Sequence, residues 1–325
     1  SWREFIALNS GQVYPEYALV YERQTPDQVA HDELFHDDMA MSRATSEGTD
    51  ESADDAAFDT VYPHYWFHGH TNCGVFHDTY PAATMEPIIQ ALMESSWAHR
   101  FTYSRKGSDG SHLEAEDPHG DMPEGLRVLK VLRIEDSHLW QEYFTMQEAI
   151  RASREDDEDS DDFEFVEGVK TVDALPEPER RRLEKDVNEV YLWHGSSPAT
   201  VTQVALQGFP ASLDDFNTGM FGRGAYFVED ASHADEFSED DKDGYYKGYY
   251  AMMLCRVTLG KAQVLPQPDL RAHERTGRGR TYDCTIGDVT ASTGSFREFV
   301  VPDRAQIYPE YAIIYERRYR RSRVR

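Results

Sequence analysis

Four stretches concentrate the residues that could do chemistry: YLWHGSS at 191–197, GMFGRGAYFVED at 219–230, ASHADEF at 231–237, and SFREFVVPD with QIYPEYAIIY between 295 and 315. Together they supply an imidazole beside a glycine, a glycine-rich loop among aromatics, and one carboxylate, Glu298, inside an apolar run. Gly219, Gly222 and Gly224 are not the dinucleotide fingerprint of redox enzymes, whose glycines follow a strand and open a helix; here they run into a strand. A nicotinamide dehydrogenase is therefore a poor fit. Taken singly, each stretch has a plainer explanation, since a His-Gly pair is commonly a turn and a Gly-rich loop a tight bend. Their joint presence and order need one explanation.

The elements that must position these residues follow from pattern. RVLKVLRIED at 127–136 alternates basic and apolar residues as a strand does. Ser137 can cap a following helix that places Leu139, Trp140, Tyr143, Phe144 and Ile150 on one face. EPERRRLEKDVNE predicts another helix leading into the apolar VYLWHG. SSPATVTQVALQG carries a Ser cap, Pro198 at the first helical position and Gly208 just past the end. From about residue 220 the short runs GAYFV, YAMMLCRVTL, FREFVV and YAIIYER are rich in aromatic and branched residues and predict strands. Helices gathered before and between antiparallel strands make this an α+β domain rather than alternating βαβ units.

Composition narrows the class. The 325 residues, 39% hydrophobic and 12% aromatic, bury one sizeable core. The chain begins with Ser, shows no charged-then-apolar leader, and has no apolar run approaching the ~20 residues that span a bilayer, so no membrane partner is expected. Cys73, Cys255 and Cys284 are too few and too widely spaced for a disulfide framework or a zinc set, which fits a reducing intracellular compartment, nuclear or cytoplasmic, and no metal. A formal charge of -27 opposes strong nucleic-acid binding. Arg317, Arg318, Arg320, Arg321, Arg323 and Arg325 form one basic cluster, expected to be a solvated end. The acids crowd into 27–59 and into REDDEDSDDFEFVE at 154–167, where like charges and scarce apolar surface predict little order.

One stretch occurs twice. At an offset of 294 residues, Arg3, Glu4, Phe5, Gln12, Tyr14, Pro15, Glu16, Tyr17, Ala18, Tyr21, Glu22 and Arg23 each meet an identical residue near the other end. That spacing is a whole domain plus linkers, far beyond a solenoid repeat of ~20 to 50 residues. The expected organisation is therefore 1–24 as the C-terminal remnant of an upstream copy and 25–84 as an acidic, largely irregular linker. An intact domain at 85–318 with an acidic surface loop at 154–168 follows, then a basic tail at 319–325. YWFHGHT at 65–71 repeats a His-Gly after aromatics, but no Gly-Tyr-Phe loop follows it and Glu4 lies before His68, so a second site is not expected there.

In combination, His-Gly-Ser after an apolar strand, Gly-Arg-Gly-Ala-Tyr-Phe, and Glu-Phe-Val-Val followed by Gln-Ile-Tyr-Pro-Glu-Tyr resemble the catalytic domain of the poly(ADP-ribose) polymerase family. These are the diphtheria-toxin-like ADP-ribosyltransferases with a His-Tyr-Glu triad, and the end of the chain looks most like the tankyrase branch. The resemblance implies two packed, mostly antiparallel sheets with an NAD cleft and flanking helices. It also implies NAD as a consumed substrate, a protein acceptor, and transfer of ADP-ribose with release of nicotinamide. His194, Tyr226 and Glu298 take the triad places. By the same likeness His194 meets the adenosine-side ribose, Gly195, Ser196 and Gly224 belong to the NAD-binding surface, and Tyr226 and Phe237 flank the nicotinamide ring, whose charge favours aromatic faces. Residues 209–221 become the donor loop. Glu298 would stabilise positive charge developing on the ribose, and its presence is compatible with elongation to poly(ADP-ribose).

The match departs from the family where Ser-Lys-Ser and a Tyr would stand: this chain has Ser232, His233, Ala234 and Phe237. Ala234 lacks a hydroxyl for the nicotinamide amide, a contact worth on the order of 1 kcal/mol. That loss defines the alternative, a catalytically weak or inactive pseudoenzyme serving as a protein-interaction module. The opening copy lacks the rest of its sheet, and an isolated hairpin is marginal in water. Deletion of residues 1–60 should leave the melting temperature and any transferase activity nearly unchanged; a large loss of either would make that segment structurally integral.

Overall fold

Branched and aromatic runs assemble into one large sheet, flanked by helices whose apolar faces lie on it. The computed structural model describes residues 62–66, 75–78, 82–98, 123–155, 164–216, 218–240, 248–290 and 296–319, all within one unit, Phe58–Arg325. The opening copy with Glu4, most of the acidic linker, His68, the core of the acidic loop and the last six arginine-rich residues lie outside the described residues.

In chain order the elements are β1 (Val75–Asp78), α1 (Ala82–Ser95), β2 (Gly125–Glu135), α2 (Ser137–Glu155), α3 (Lys170–Ala174), α4 (Glu177–Arg180), β3 (Glu189–Ser196), α5 (Pro198–Gln207), β4 (Thr218–Gly219), β5 (Gly222–Arg223), β6 (Ala225–Val228), α6 (Ala231–Asp235), β7 (Tyr250–Thr258), β8 (Ala262–Leu265), β9 (Cys284–Asp288), β10 (Arg297–Val301) and β11 (Ile307–Arg318). Nine strands form a sheet in the order β1-β2-β11-β7-β3-β6-β10-β9-β8, and β4 and β5 form a small hairpin of their own. The fold is α+β, as the sequence implies. The two sheets expected are instead joined into one hydrogen-bonded sheet, because β3 and β6 pair at a single position, Trp193 opposite Val228. On one side of that seam β3 runs in full register with β7 from Glu189 to Ser196, and on the other β6 runs with β10. Among the described strand pairs of the sheet, β8 and β9 are parallel and the rest antiparallel.

Central strand β7 is buried on both faces, so YAMMLCRVT reads as a continuous apolar run rather than an alternation. One face of the sheet is covered by α5 through Val201, Val204 and Ala205, the other by α1 through Ile89, Leu92 and Met93. α5 matches its sequence signals: Ser197 Oγ accepts from the Thr200 amide, Pro198 opens the helix, and Gly208 ends it at a φ of 74°.

Four boundaries differ from the sequence reading, each for a local reason. The cap of α2 is Asp136, whose Oδ1 accepts from the amides of His138 (2.9 Å) and Leu139 (3.0 Å), so Ser137 is already helical; a carboxylate also suits the positive end of the helix. EPERRRLEKDVNE forms one helical turn, Glu177–Arg180, and a short 3-10 turn, Lys185–Val187, which Asn188 ends with a left-handed φ of 53° while its amide donates to the carbonyls of Glu164 and Gly260. Arg317 is no part of a solvated tail: it is paired with buried Asp235 at 3.0 Å and lies 3.8 Å over the Tyr250 ring. Ordered structure also begins before residue 85. β1 pairs with β2, and Trp66 stacks on Tyr308 and meets Trp140 edge-on, with ring centroids 6.0 and 5.8 Å apart.

Trp66 is thus a core residue supplied from within the stretch expected to be linker. Trp66→Ala should lower the domain's stability by roughly 3–5 kcal/mol, the range for truncating a buried aromatic, measured by urea unfolding; no change would mean that the 62–66 segment is dispensable to the core.

Candidate active site

The seam between β3 and β6 creates the site. Beyond Trp193 the two backbones part, and the His194 side chain takes over where the ladder stops: its Nδ1 lies 2.9 Å from the Tyr226 carbonyl oxygen. A carbonyl can only accept, so Nδ1 carries the proton and Nε2 keeps a lone pair. The ring is wedged between Phe209, edge-on at 5.1 Å, and Phe227 at 5.4 Å. Burial lowers the proton affinity of His194, and the Tyr226 carbonyl opposes that only in part.

Tyr226 on β6 is fixed at its hydroxyl, which donates to the Gly222 carbonyl (2.7 Å) and accepts from the Phe221 amide (3.0 Å). Burial, with the neighbouring Glu298 carboxylate, raises its pKa, so the phenol keeps its proton at neutral pH. The ring rather than the hydroxyl is what Tyr226 has to offer. The β4–β5 hairpin folds across it, and Gly219 lies so close to Cζ that a Cβ there would collide with the ring.

Glu298 sits on β10 directly opposite Val228 on one side and Gly287 on the other. Val300 pairs with Tyr226, two residues further along the same face, so the carboxylate and the Tyr226 ring share that face. Only 4% of Glu298 is exposed. Burial, reinforced by the Glu236 carboxylate, pushes its pKa up to about 7. Two nearby cations are otherwise committed: Arg297, next to Glu298 in the strand, is held by Glu229 at 2.6 Å, and Lys170 on α3 by Asp230 at 2.7 Å.

The structure thus brings His194, Tyr226 and Glu298 together on β3, β6 and β10. Phe237 is 49% exposed, with its ring 5.4 Å from that of His233. Ser196 ends β3, half-buried. Two glycines serve packing. A Cβ on Gly195 would collide with the Ala234 carbonyl oxygen, so the glycine lets α6 close on β3, and Ala234 is fully buried there. Gly224 has a φ of 153° and lies against β10, where a Cβ would be 2.8 Å from the Val301 carbonyl oxygen. The residue that the sequence reading passed over is His233. In sequence it is a departure from a motif, yet its Nε2 is 3.7 Å from the Glu298 carboxylate. Among the described residues no group of three or more His, Cys, Asp or Glu is placed to hold a metal ion, and no helix is long and apolar enough to cross a membrane.

The sheet is thus split at one residue pair, with an imidazole, a tyrosine ring and a buried glutamate on the strands beside the split. The chain belongs to the poly(ADP-ribose) polymerase catalytic domain family, whose description matches residues 112–317. It is similar to human protein mono-ADP-ribosyltransferase PARP11, with 29% identity over 150 residues, 41% of this chain and 43% of that protein. Similarity extends to mouse protein mono-ADP-ribosyltransferase PARP12, 29% identical over 132 residues that cover 40% of this chain and 17% of the relative. For human protein mono-ADP-ribosyltransferase PARP14 the identity is 26% over 195 residues, 59% of this chain and 9% of the relative. The chain spans less than half the length of these curated relatives. None of the three carries the tankyrase name suggested by the chain's last strands.

A carboxyl group whose pKa rises from about 4.3 in the unfolded chain to about 7 in the fold favours folding while protonated. That stability is fully present below the unfolded value and is lost as pH rises through 7. Glu298→Gln cannot ionise and loses nothing. Its melting temperature should match the parent's at pH 4 and exceed it at pH 8 by roughly 10 °C, since a rise from about 4.3 to about 7 is worth about 3–4 kcal/mol and about 1 kcal/mol moves the midpoint of a domain this size by roughly 2–4 °C. An offset equal at both pH values would show that Glu298 titrates like an ordinary surface carboxylate.

Proposed function

We propose that the chain is an NAD-dependent protein ADP-ribosyltransferase, breaking the bond between nicotinamide and ribose and passing ADP-ribose to a protein acceptor. The observation that carries this reading is the buried Glu298 carboxyl beside the Tyr226 ring, one strand from His194. In the reaction the electron pair of the glycosidic bond leaves with nicotinamide, positive charge develops on the ribose, and the acceptor's nucleophile bonds to the same carbon. Ionised Glu298 accepts a hydrogen bond from the ribose 2-hydroxyl and stabilises that charge, in a setting dry enough for the effect to be large. As the acceptor attacks, the proton it sheds can pass to the same carboxylate.

The other residues bind. With Nδ1 occupied by the Tyr226 carbonyl, His194 offers its Nε2 lone pair to a hydroxyl of the adenosine-side ribose. Tyr226, its hydroxyl committed to the loop, and exposed Phe237 offer ring faces to the cationic nicotinamide. The half-ionised state of Glu298 near pH 7 predicts turnover that climbs through neutrality.

The names of the relatives support transfer of a single ADP-ribose unit, whereas the retained Glu298 is compatible with extension to a polymer. Sizing the label attached to protein after incubation with labelled NAD separates the two. The pseudoenzyme alternative is favoured by one feature, the fully buried methyl of Ala234 where the family has a hydroxyl.

Glu298→Gln should reduce turnover roughly 10²- to 10³-fold with NAD affinity nearly preserved. Phe237→Ala removes a ring face used in the ground state and should raise the Michaelis constant more than it lowers turnover. Label transfer by Glu298→Gln as fast as by the parent would remove the basis for the assignment. Absence of transfer by the parent, with NAD still bound, would favour the pseudoenzyme.

A further inference from the structure

His233 is fully buried, yet neither of its ring nitrogens has a hydrogen-bond partner among the described residues. A buried imidazole left unsatisfied costs free energy on the order of 1–3 kcal/mol, so a neutral filler such as Leu or Phe would be favoured if packing were its only task. The ring is fixed instead in one place: its centroid lies 4.4 Å from that of Phe296 and 5.4 Å from that of Phe237, and α6 holds its backbone through the Asp230 carbonyl at 3.1 Å. In that place Nε2 faces Glu298 Oε1 at 3.7 Å, with side-chain exposures of 1% and 6%.

We propose that His233 is a positioning residue for Glu298, its Nε2–H directed at the carboxylate to orient it and stabilise its ionised form. This rests on the transferase reading of Glu298. The tautomer follows from the surroundings. A proton on Nδ1 would leave a lone pair on Nε2 facing a carboxylate, whereas a proton on Nε2 aims the donor at the Glu298 oxygen. At 3.7 Å the two are within electrostatic reach, and a contraction of under about 1 Å brings them to hydrogen-bond distance; catalytic contacts commonly tighten when substrate binds.

The other ionisable groups around the pair do not supply this function. Glu236, just past the end of α6, works against ionisation of Glu298, and Tyr226 on β6 remains a neutral phenol. β9 presents Gly287 opposite Glu298. Lys170 on α3 is paired with Asp230, and its charge disfavours a proton on His233, whose pKa burial has already pushed down to about 3. His233 thus acts as a neutral donor rather than as a cation.

The test uses the full chain with His233→Phe, which keeps a ring against Phe296 and removes the donor, and His233→Gln, which keeps a donor that cannot titrate. His233→Met replaces the phenylalanine variant if that one melts early. Two readouts are taken: the pH dependence of NAD-dependent label transfer, and the carboxyl-carbon NMR titration of Glu298, identified as the resonance missing in Glu298→Gln. Loss of the donor should move both midpoints up by about one to two units, the size of a lost hydrogen bond to a charged group, so that transfer falls roughly tenfold at pH 7 and recovers toward alkaline pH. His233→Gln should stay near the parent. A rate reduced by the same factor at every pH, or an unmoved Glu298 titration in the phenylalanine variant, would overturn the proposal and leave His233 as packing. If the parent transfers no label, the NMR titration still decides the pairing, and only the role of Glu298 in transfer is lost.

Discussion

A carboxylate set inside an apolar strand, facing an imidazole that burial keeps neutral, is the constraint on which the arrangement depends. Charge on Glu298 is disfavoured there, and β6, β9 and β10 together with α6 hold the group in place regardless. The opposing strand helps by what it lacks: Gly287 presents no side chain, and Phe221 fills the space that a Cβ at Gly287 would occupy. The result is a carboxyl group near its own midpoint at neutral pH, where proton uptake and charge stabilisation are both accessible.

The same economy governs the seam. A sheet of nine strands would ordinarily close over its own hydrogen bonds, but β3 and β6 share only the Trp193–Val228 pair. His194 satisfies the Tyr226 carbonyl that lost its backbone partner. One side chain thereby serves two ends: it holds the parted strands together, and it leaves its second nitrogen with a lone pair. Replacing it would expose an unsatisfied carbonyl as well as remove the proposed ribose contact, so a loss of binding at this position is read together with a loss of structure.

Much of this was legible in the chain. Strands β2, β3, β6, β7, β10 and β11 fall where branched and aromatic runs predict them, and α5 falls between its Ser, Pro and Gly signals. His194, Tyr226 and Glu298 could be singled out through the family resemblance that the motifs around them carry. What stayed illegible is tertiary. The parallel β8–β9 pair is short, and a polar, glycine-containing loop separates its strands. Asn188 ends the 3-10 turn ahead of β3 through partners at Glu164 and Gly260 that no local pattern announces. His233 looked like a motif departure because its meaning comes from Glu298, 65 positions away in sequence and 3.7 Å away in space.

The central claim is that the seam is an NAD site organised around Glu298, and a crystal structure of the chain with a non-cleavable NAD analogue tests it most directly. The nicotinamide ring should lie against Tyr226, with the 2-hydroxyl of its ribose within about 2.6–3.2 Å of the Glu298 carboxylate and His194 Nε2 on a hydroxyl of the other ribose. An analogue bound away from the β3–β6 seam, or bound there with Glu298 turned from the ribose, would contradict it.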